Sequence, residues 1–159
     1  MDDKALRKNI VDLLRSGSAH VAPQAALAEV NPKLRHVRPA AGVHSIWEEL
    51  EHIRIAQEDI LRYTLDAGWQ SPEWPAGYWP VSDTPPAATA WDQSVAQVDR
   101  DLRTMQRLVR DPRTDLFARI PHGTGQTVLR EALVLADHNS YHLGQLVLLR
   151  RLLGAWKTV

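Results

Sequence analysis

The 159-residue sequence contains no cysteine. That excludes disulfides, thiolate metal ligands and a cysteine nucleophile together, and it fits a reducing compartment. An excess of charge of either sign is also missing: Lys and Arg total 19, Asp and Glu total 19, and the formal net charge is zero. A chain so balanced offers no basic stripe to nucleic acid and no polybasic tail to an anionic membrane. No apolar run approaches the length of a transmembrane span. The segment MDDKALRKNIVDLL carries acids where a secretory signal carries basic residues, and no uninterrupted apolar stretch follows. A cytoplasmic protein that binds neither nucleic acid nor membrane is expected. With thiolates excluded, the seven histidines remain as the softest donors. A transition metal would have to be held through nitrogen and oxygen.

What is present is close to average for a folded domain: 44% hydrophobic and 24% charged residues. The length suits one domain, residues 1–159, around one core. Period-two alternation with hairpin turns is not sustained anywhere, and helical periodicity takes its place. A first helix is expected from Asp3 to Ser16, with Leu6, Ile10, Leu13 and Leu14 on one face and Gly17 as its stop. Pro23 can open a short helix ending before Asn31-Pro32, and Pro39 closes that connection. The second long helix reads HSIWEELEHIRIAQEDILRYTLDAG, with Ile46, Leu50, Ile53, Gln57, Ile60 and Leu61 as its main stripe. The third spans about Ala87 to Arg110, where Trp91, Val95, Val98, Leu102, Met105 and Val109 step by four and three. The fourth starts after Thr127 as N-cap, has Glu131 in an early turn, and runs through Leu153 to Gly154. Four long helices predict an all-α four-helix bundle.

The connection between the second and third long helices, GWQSPEWPAGYWPVSDTPP at 68–86, holds three of the six tryptophans and five of the ten prolines. So long a link is usually disordered or functional, and its aromatics argue against disorder. It reads as a fixed strap over one bundle end, as a wall beside a pocket with Trp79 as the candidate aromatic, or as both.

ADHNSYHLGQL, at 136–146, places His138 and His142 four residues apart, on one face of the fourth helix. That spacing presents two imidazoles to one metal ion, and packing or surface histidines produce it as well. A zinc-peptidase motif would need Glu directly after the first histidine, where this chain has Asn139. A third ligand must come from another helix, and His52, beside the apolar stripe of the second helix, is the best placed. His44 stands two turns earlier, as a helix cap or a supporting group. Asp137, Glu49 and Gln145 are candidates to orient ligand imidazoles through their second nitrogens. Tyr141 is a pocket or packing residue, and Gly144 either allows close helix approach or is simply tolerated. Glu48, Glu49 and Glu51 are expected to form a solvated face with at most one member turned inward. His20, His36 and His122 fall in connections. PHGTGQT at 121–127 lacks the Gly-Lys-Ser/Thr ending of a phosphate loop and reads as a turn into the fourth helix.

HSIWEELEHIRIAQEDIL, GYWP and DLFARIPHGTGQTVLREALVLADHNSYHLGQLVLLRRLLGAW, in that order, resemble the DinB/YfiT superfamily of small metal-binding four-helix bundles. The resemblance spans nearly the whole chain and is most specific at His52 within WEELEHI and at DHNSYHLGQ. It implies a three-histidine site, His52, His138 and His142, for nickel, zinc or a similar divalent ion. Leu143 replaces the more usual basic residue before Gly-Gln and leaves that ligand pattern intact. The superfamily includes thiol S-transferases that use low-molecular-weight thiols, a thiol-dependent isomerase and proteins grouped as metal-dependent hydrolases. It therefore implies a small-molecule substrate, with a low-molecular-weight thiol as co-substrate in the transferases. Family members often form dimers, so a homodimer is expected. A non-catalytic bundle is the alternative, and it predicts a fourth protein ligand, His44 or Glu49, closing the site.

Overall fold

Helix starts are fixed locally by side chains. Ser45 accepts from the Glu48 backbone N–H, and the Glu48 carboxylate accepts in return from Ser45 N–H at 2.8 Å. This reciprocal pair meets two of the amides that a helix start leaves without intrahelical partners. Thr127 does the same in part, accepting from Arg130 N–H at 3.2 Å.

The computed structural model describes residues 3–15 and 19–156. They form five helices: α1 (Asp3–Arg15), α2 (Pro23–Leu27), α3 (Ile46–Leu65), α4 (Ala90–Arg110) and α5 (Val128–Leu152). Single 3₁₀ turns lie at Pro32–Leu34 and Ala76–Tyr78, and one isolated bridge joins Arg119 to Thr127. The long helices are α1, α3, α4 and α5, as the periodicity predicts. The expected stop of α1 at Ser16 and Gly17 lies outside the described residues. The α4 helix begins at Ala90 rather than Ala87, because Ala87 to Thr89 form a turn and Thr89 makes no side-chain cap. No helix among the described residues is long and apolar enough to cross a membrane.

α3 packs against α4 and α5, and α1 closes the bundle on α4 and α5. The core has two parts. One gathers Leu50, Ile53, Trp91, Leu143, Leu146 and Leu149, and includes α2 through Ala26 and Leu27. The other gathers Ile10, Leu14, Leu61, Met105, Val109 and Leu135. Between them runs a polar layer. Asn139 Nδ2 donates to Gln57 Oε1 at 2.8 Å, and Gln57 Nε2 donates to the Val98 carbonyl at 2.6 Å. Gln57 is fully buried within the stripe that the sequence predicts for α3. The chain ends of the helices are tied by arginines. Arg7 donates to the Val109, Asp111 and Thr114 carbonyls, and Arg150 to that of Ala26.

Candidate metal centre

His52 on α3 and His138 and His142 on α5 converge, with Ile53 and Leu143 of the first core part as the chain neighbours of His52 and His142. His52 Nε2 is 3.1 Å from His142 Nε2 and 3.1 Å from His138 Nε2. Donor atoms about 2.0–2.1 Å from a shared zinc-like ion stand roughly 3 Å apart, so the spacing suits one cation. Among the described residues no other His, Cys, Asp or Glu joins this cluster.

The surrounding hydrogen bonds fix which ring nitrogen carries the proton. The Tyr78 carbonyl can only accept, so His52 Nδ1, at 2.8 Å, is the donor. The Glu49 carboxylate, 2.7 Å from His142 Nδ1, fixes the proton of that ring in the same way. In the neutral form of either ring, Nε2 then carries a lone pair directed at its neighbour. Lone pairs facing each other at 3.1 Å repel, and a bound cation turns that repulsion into coordination. Burial pushes His52 below the ordinary histidine value, against the Tyr78 carbonyl, which favours the charged ring. Burial, reinforced by His142 and His52, holds His138 down at about 4. Both rings are therefore neutral at neutral pH, as metal ligands must be. Among the described residues, His138 Nδ1 and Asn139 Oδ1 are the two buried side-chain polar atoms without a well-formed hydrogen bond.

The strap supplies the wall. Trp79 stacks on His52, with ring centroids 4.1 Å apart and planes 8° from parallel, and on His44 at 3.9 Å and 15°. Asp59, two turns after His52, anchors this segment by accepting from Tyr78 Oη at 2.6 Å and Trp69 Nε1 at 2.8 Å. Burial and the Asp59 carboxylate push the Tyr78 phenol up to about 12, which keeps it a donor. Trp47 Nε1 donates to the Ser82 carbonyl at 3.1 Å and fixes the far end. Gly77 is required by close approach, since a Cβ there would stand 2.8 Å from Pro72 Cβ. The strap thus covers α3 and walls the site, although Trp74 stays largely exposed and meets the Tyr78 ring edge to face.

Beside the trio lies a hollow of about 320 Å³, lined by His44, Glu49, Trp79, Tyr141, His142 and Gln145 among others. The remaining candidates separate by position. Glu49 orients His142. His44 is stacked on Trp79 and lies outside the trio. Gln145 and Tyr141 line the hollow, while Asp137 is exposed and shares none of the hydrogen bonds that hold the three rings. The solvated glutamate face is corrected: Glu48, Glu49 and Glu51 are all buried. Glu48 pairs with Arg38 and the helix start, Glu49 with His142, and Glu51 with Arg54 and Ser94. Gly144 faces no other helix, since a Cβ there would meet nothing within 4 Å. Sequence reasoning missed Asp59 and the Tyr78 carbonyl. Gln57, a lone amide in an apolar stripe, was the available sign of the polar layer.

Comparison with known proteins agrees with this architecture. The profile of the DinB superfamily matches residues 22–146. A crystal structure from Exiguobacterium sibiricum 255-15, of a protein assigned to the DinB family, superimposes with a TM-score of 0.60 at 18% identity. The match covers 100% of this chain and 97% of that one, and shows a shared fold. No curated protein matches the chain. The profile match, over most of the sequence and including all three histidines, shows that the chain belongs to the DinB superfamily.

Proposed function

We propose that this protein is a metal-dependent enzyme that acts on a small molecule, transferring a low-molecular-weight thiol to an electrophile or hydrolysing it. The observation that carries the reading is the three-histidine cluster beside a hollow, with no fourth ionisable ligand among the described residues. Three ligands with open positions are the catalytic pattern, whereas structural sites are closed by a fourth. His44 and Glu49, the candidates to close it, are held by Trp79 and by His142. Nickel or zinc suits an all-imidazole set.

A divalent ion held there favours the deprotonated form of a thiol or of water at neutral pH. The chain's own part is positioning. Tyr78 and Glu49 keep the protons of His52 and His142 on Nδ1, away from the ion. Trp79 excludes water from one side of His52 and gives the hollow a flat aromatic wall. Because the chain has no cysteine, an attacking sulfur comes from the co-substrate.

The test is turnover of small electrophiles by nickel- or zinc-loaded protein, with and without added small thiols. Expected is a metal-dependent rate that His138→Ala abolishes. A thiol requirement selects transfer, and its absence selects hydrolysis. No metal-dependent rate with any thiol, electrophile or ester would contradict the proposal.

A further inference from the structure

A second hollow has no part in the metal centre. It measures about 540 Å³, within the range of small-molecule sites, and lies between α1 and α4 with Gln24 of α2 in its lining. No residue of α3, α5 or the strap lines it. Four guanidiniums do: Arg15 of α1, and Arg103, Arg107 and Arg110, which step by four and three along α4. All four residues are exposed. The one carboxylate in the lining, Asp99, is already ion-paired with Arg103 and accepts from Gln24. Asp12, in an adjoining hollow that Arg15 and Arg110 share, pairs with Lys8 and meets those two arginines only through space. Four guanidiniums less one carboxylate leave three positive charges uncompensated, in a chain with no net charge.

Like charges three and four residues apart on a helix work against each other. The last turns of α1 and α4 attract cations, which accounts for Arg15, Arg107 and Arg110 singly. It does not account for their meeting Arg103 around one hollow. Their donors are also largely unspent. Arg107 gives one hydrogen bond to the Thr104 hydroxyl, and Arg110 one long bond of 3.4 Å to Gln106 Oε1. Among the described residues Arg15 gives none. We propose that this hollow binds a small molecule through a phosphate group, gripped by arginines of α1 and α4 together. Guanidinium forks match phosphate oxygens two at a time, and every cation in the lining is arginine rather than lysine. A phosphate monoester brings roughly two negative charges at neutral pH, where a lone carboxylate brings one. Three uncompensated charges therefore favour phosphate. The Gln24 and Gln106 amides and the Leu102 side chain offer polar and apolar surface to the rest of the molecule.

The probe is pyrophosphate, titrated calorimetrically into the full-length protein at fixed ionic strength. Saturable binding is expected, weakened roughly tenfold or more by Arg15→Ala and by Arg107→Ala. Arg100→Ala, exposed on α4 but outside the hollow, is expected to bind as the wild type does. So is His52→Ala, because the hollow shares no residue with the metal centre. Circular dichroism checks that each variant is folded. A wild type without saturable binding would overturn the proposal, as would an equal loss in Arg100→Ala, the mark of diffuse attraction to α4. Binding lost in His52→Ala and kept in Arg107→Ala would also overturn it, by assigning the anion to the metal centre. A last arm uses vesicles containing phosphatidic acid: protein that sediments with them yet binds no pyrophosphate would replace the small molecule with a lipid surface.

Discussion

The Glu49 carboxylate and the Tyr78 carbonyl act on the trio one atom removed from the nitrogens that would bind metal. Groups that orient ligand histidines typically change metal affinity 10- to 100-fold when lost, by about that range here for Glu49→Ala. Calorimetric titration with nickel or zinc should show the weakening while circular dichroism stays native; an unchanged affinity would remove Glu49 from that role. The spacing of His138 and His142 could be read from sequence because it lies within one helix. The convergence of His52 depends on how α3 is rotated, which pattern alone leaves open. A backbone carbonyl such as that of Tyr78 has no sequence signature. Asp137 looked as plausible as Glu49, and only its outward direction on α5 separates them.

At the scale of elements, the N-terminus of α3 and the strap bring function and stability together. Burial works against the Glu48 carboxylate, but Arg38 and the Ser45 hydrogen bonds outweigh it and hold the group at about 2, below its model-peptide value of 4.5. A lowered carboxylate contributes stability above its unfolded value and loses it as pH falls toward the folded one. Stability should therefore decline from pH 4.5 toward 2, and Glu48→Gln should flatten that decline in thermal melts. Ser45→Ala should cost about 1 kcal/mol at neutral pH. The strap makes a second, optical prediction. Trp79 stacks on a ring of the trio, so added nickel or zinc should change tryptophan emission, and Trp79→Phe should remove that change. Tyr78→Phe, which breaks the clasp on Asp59, should cost about 1 kcal/mol. An identical emission change in Trp79→Phe would assign the signal to another tryptophan. The helices of this bundle were legible because their apolar spacing runs for several turns. The docking of the strap was not, since Asp59 gives no sign in sequence that it binds a tyrosine and a tryptophan from a loop.

Across the whole molecule, two apolar core regions are separated by the Gln57–Asn139 layer. Replacing Gln57 with Leu keeps the volume but leaves the Asn139 amide buried without its acceptor, so a loss of about 1–3 kcal/mol is expected in denaturant unfolding. A neutral or stabilising result would mean that the layer is not needed for stability. The layer also neighbours His138 through Asn139, which links the packing of α3, α4 and α5 to the position of a ring.

The central claim is that the three histidines hold one metal ion, and elemental mass spectrometry of tag-free protein tests it most directly. The account predicts a near-stoichiometric divalent metal in the wild type, lost in His52→Ala and in His142→Ala while both remain folded. Wild-type protein that holds no metal even after incubation with nickel or zinc would contradict it.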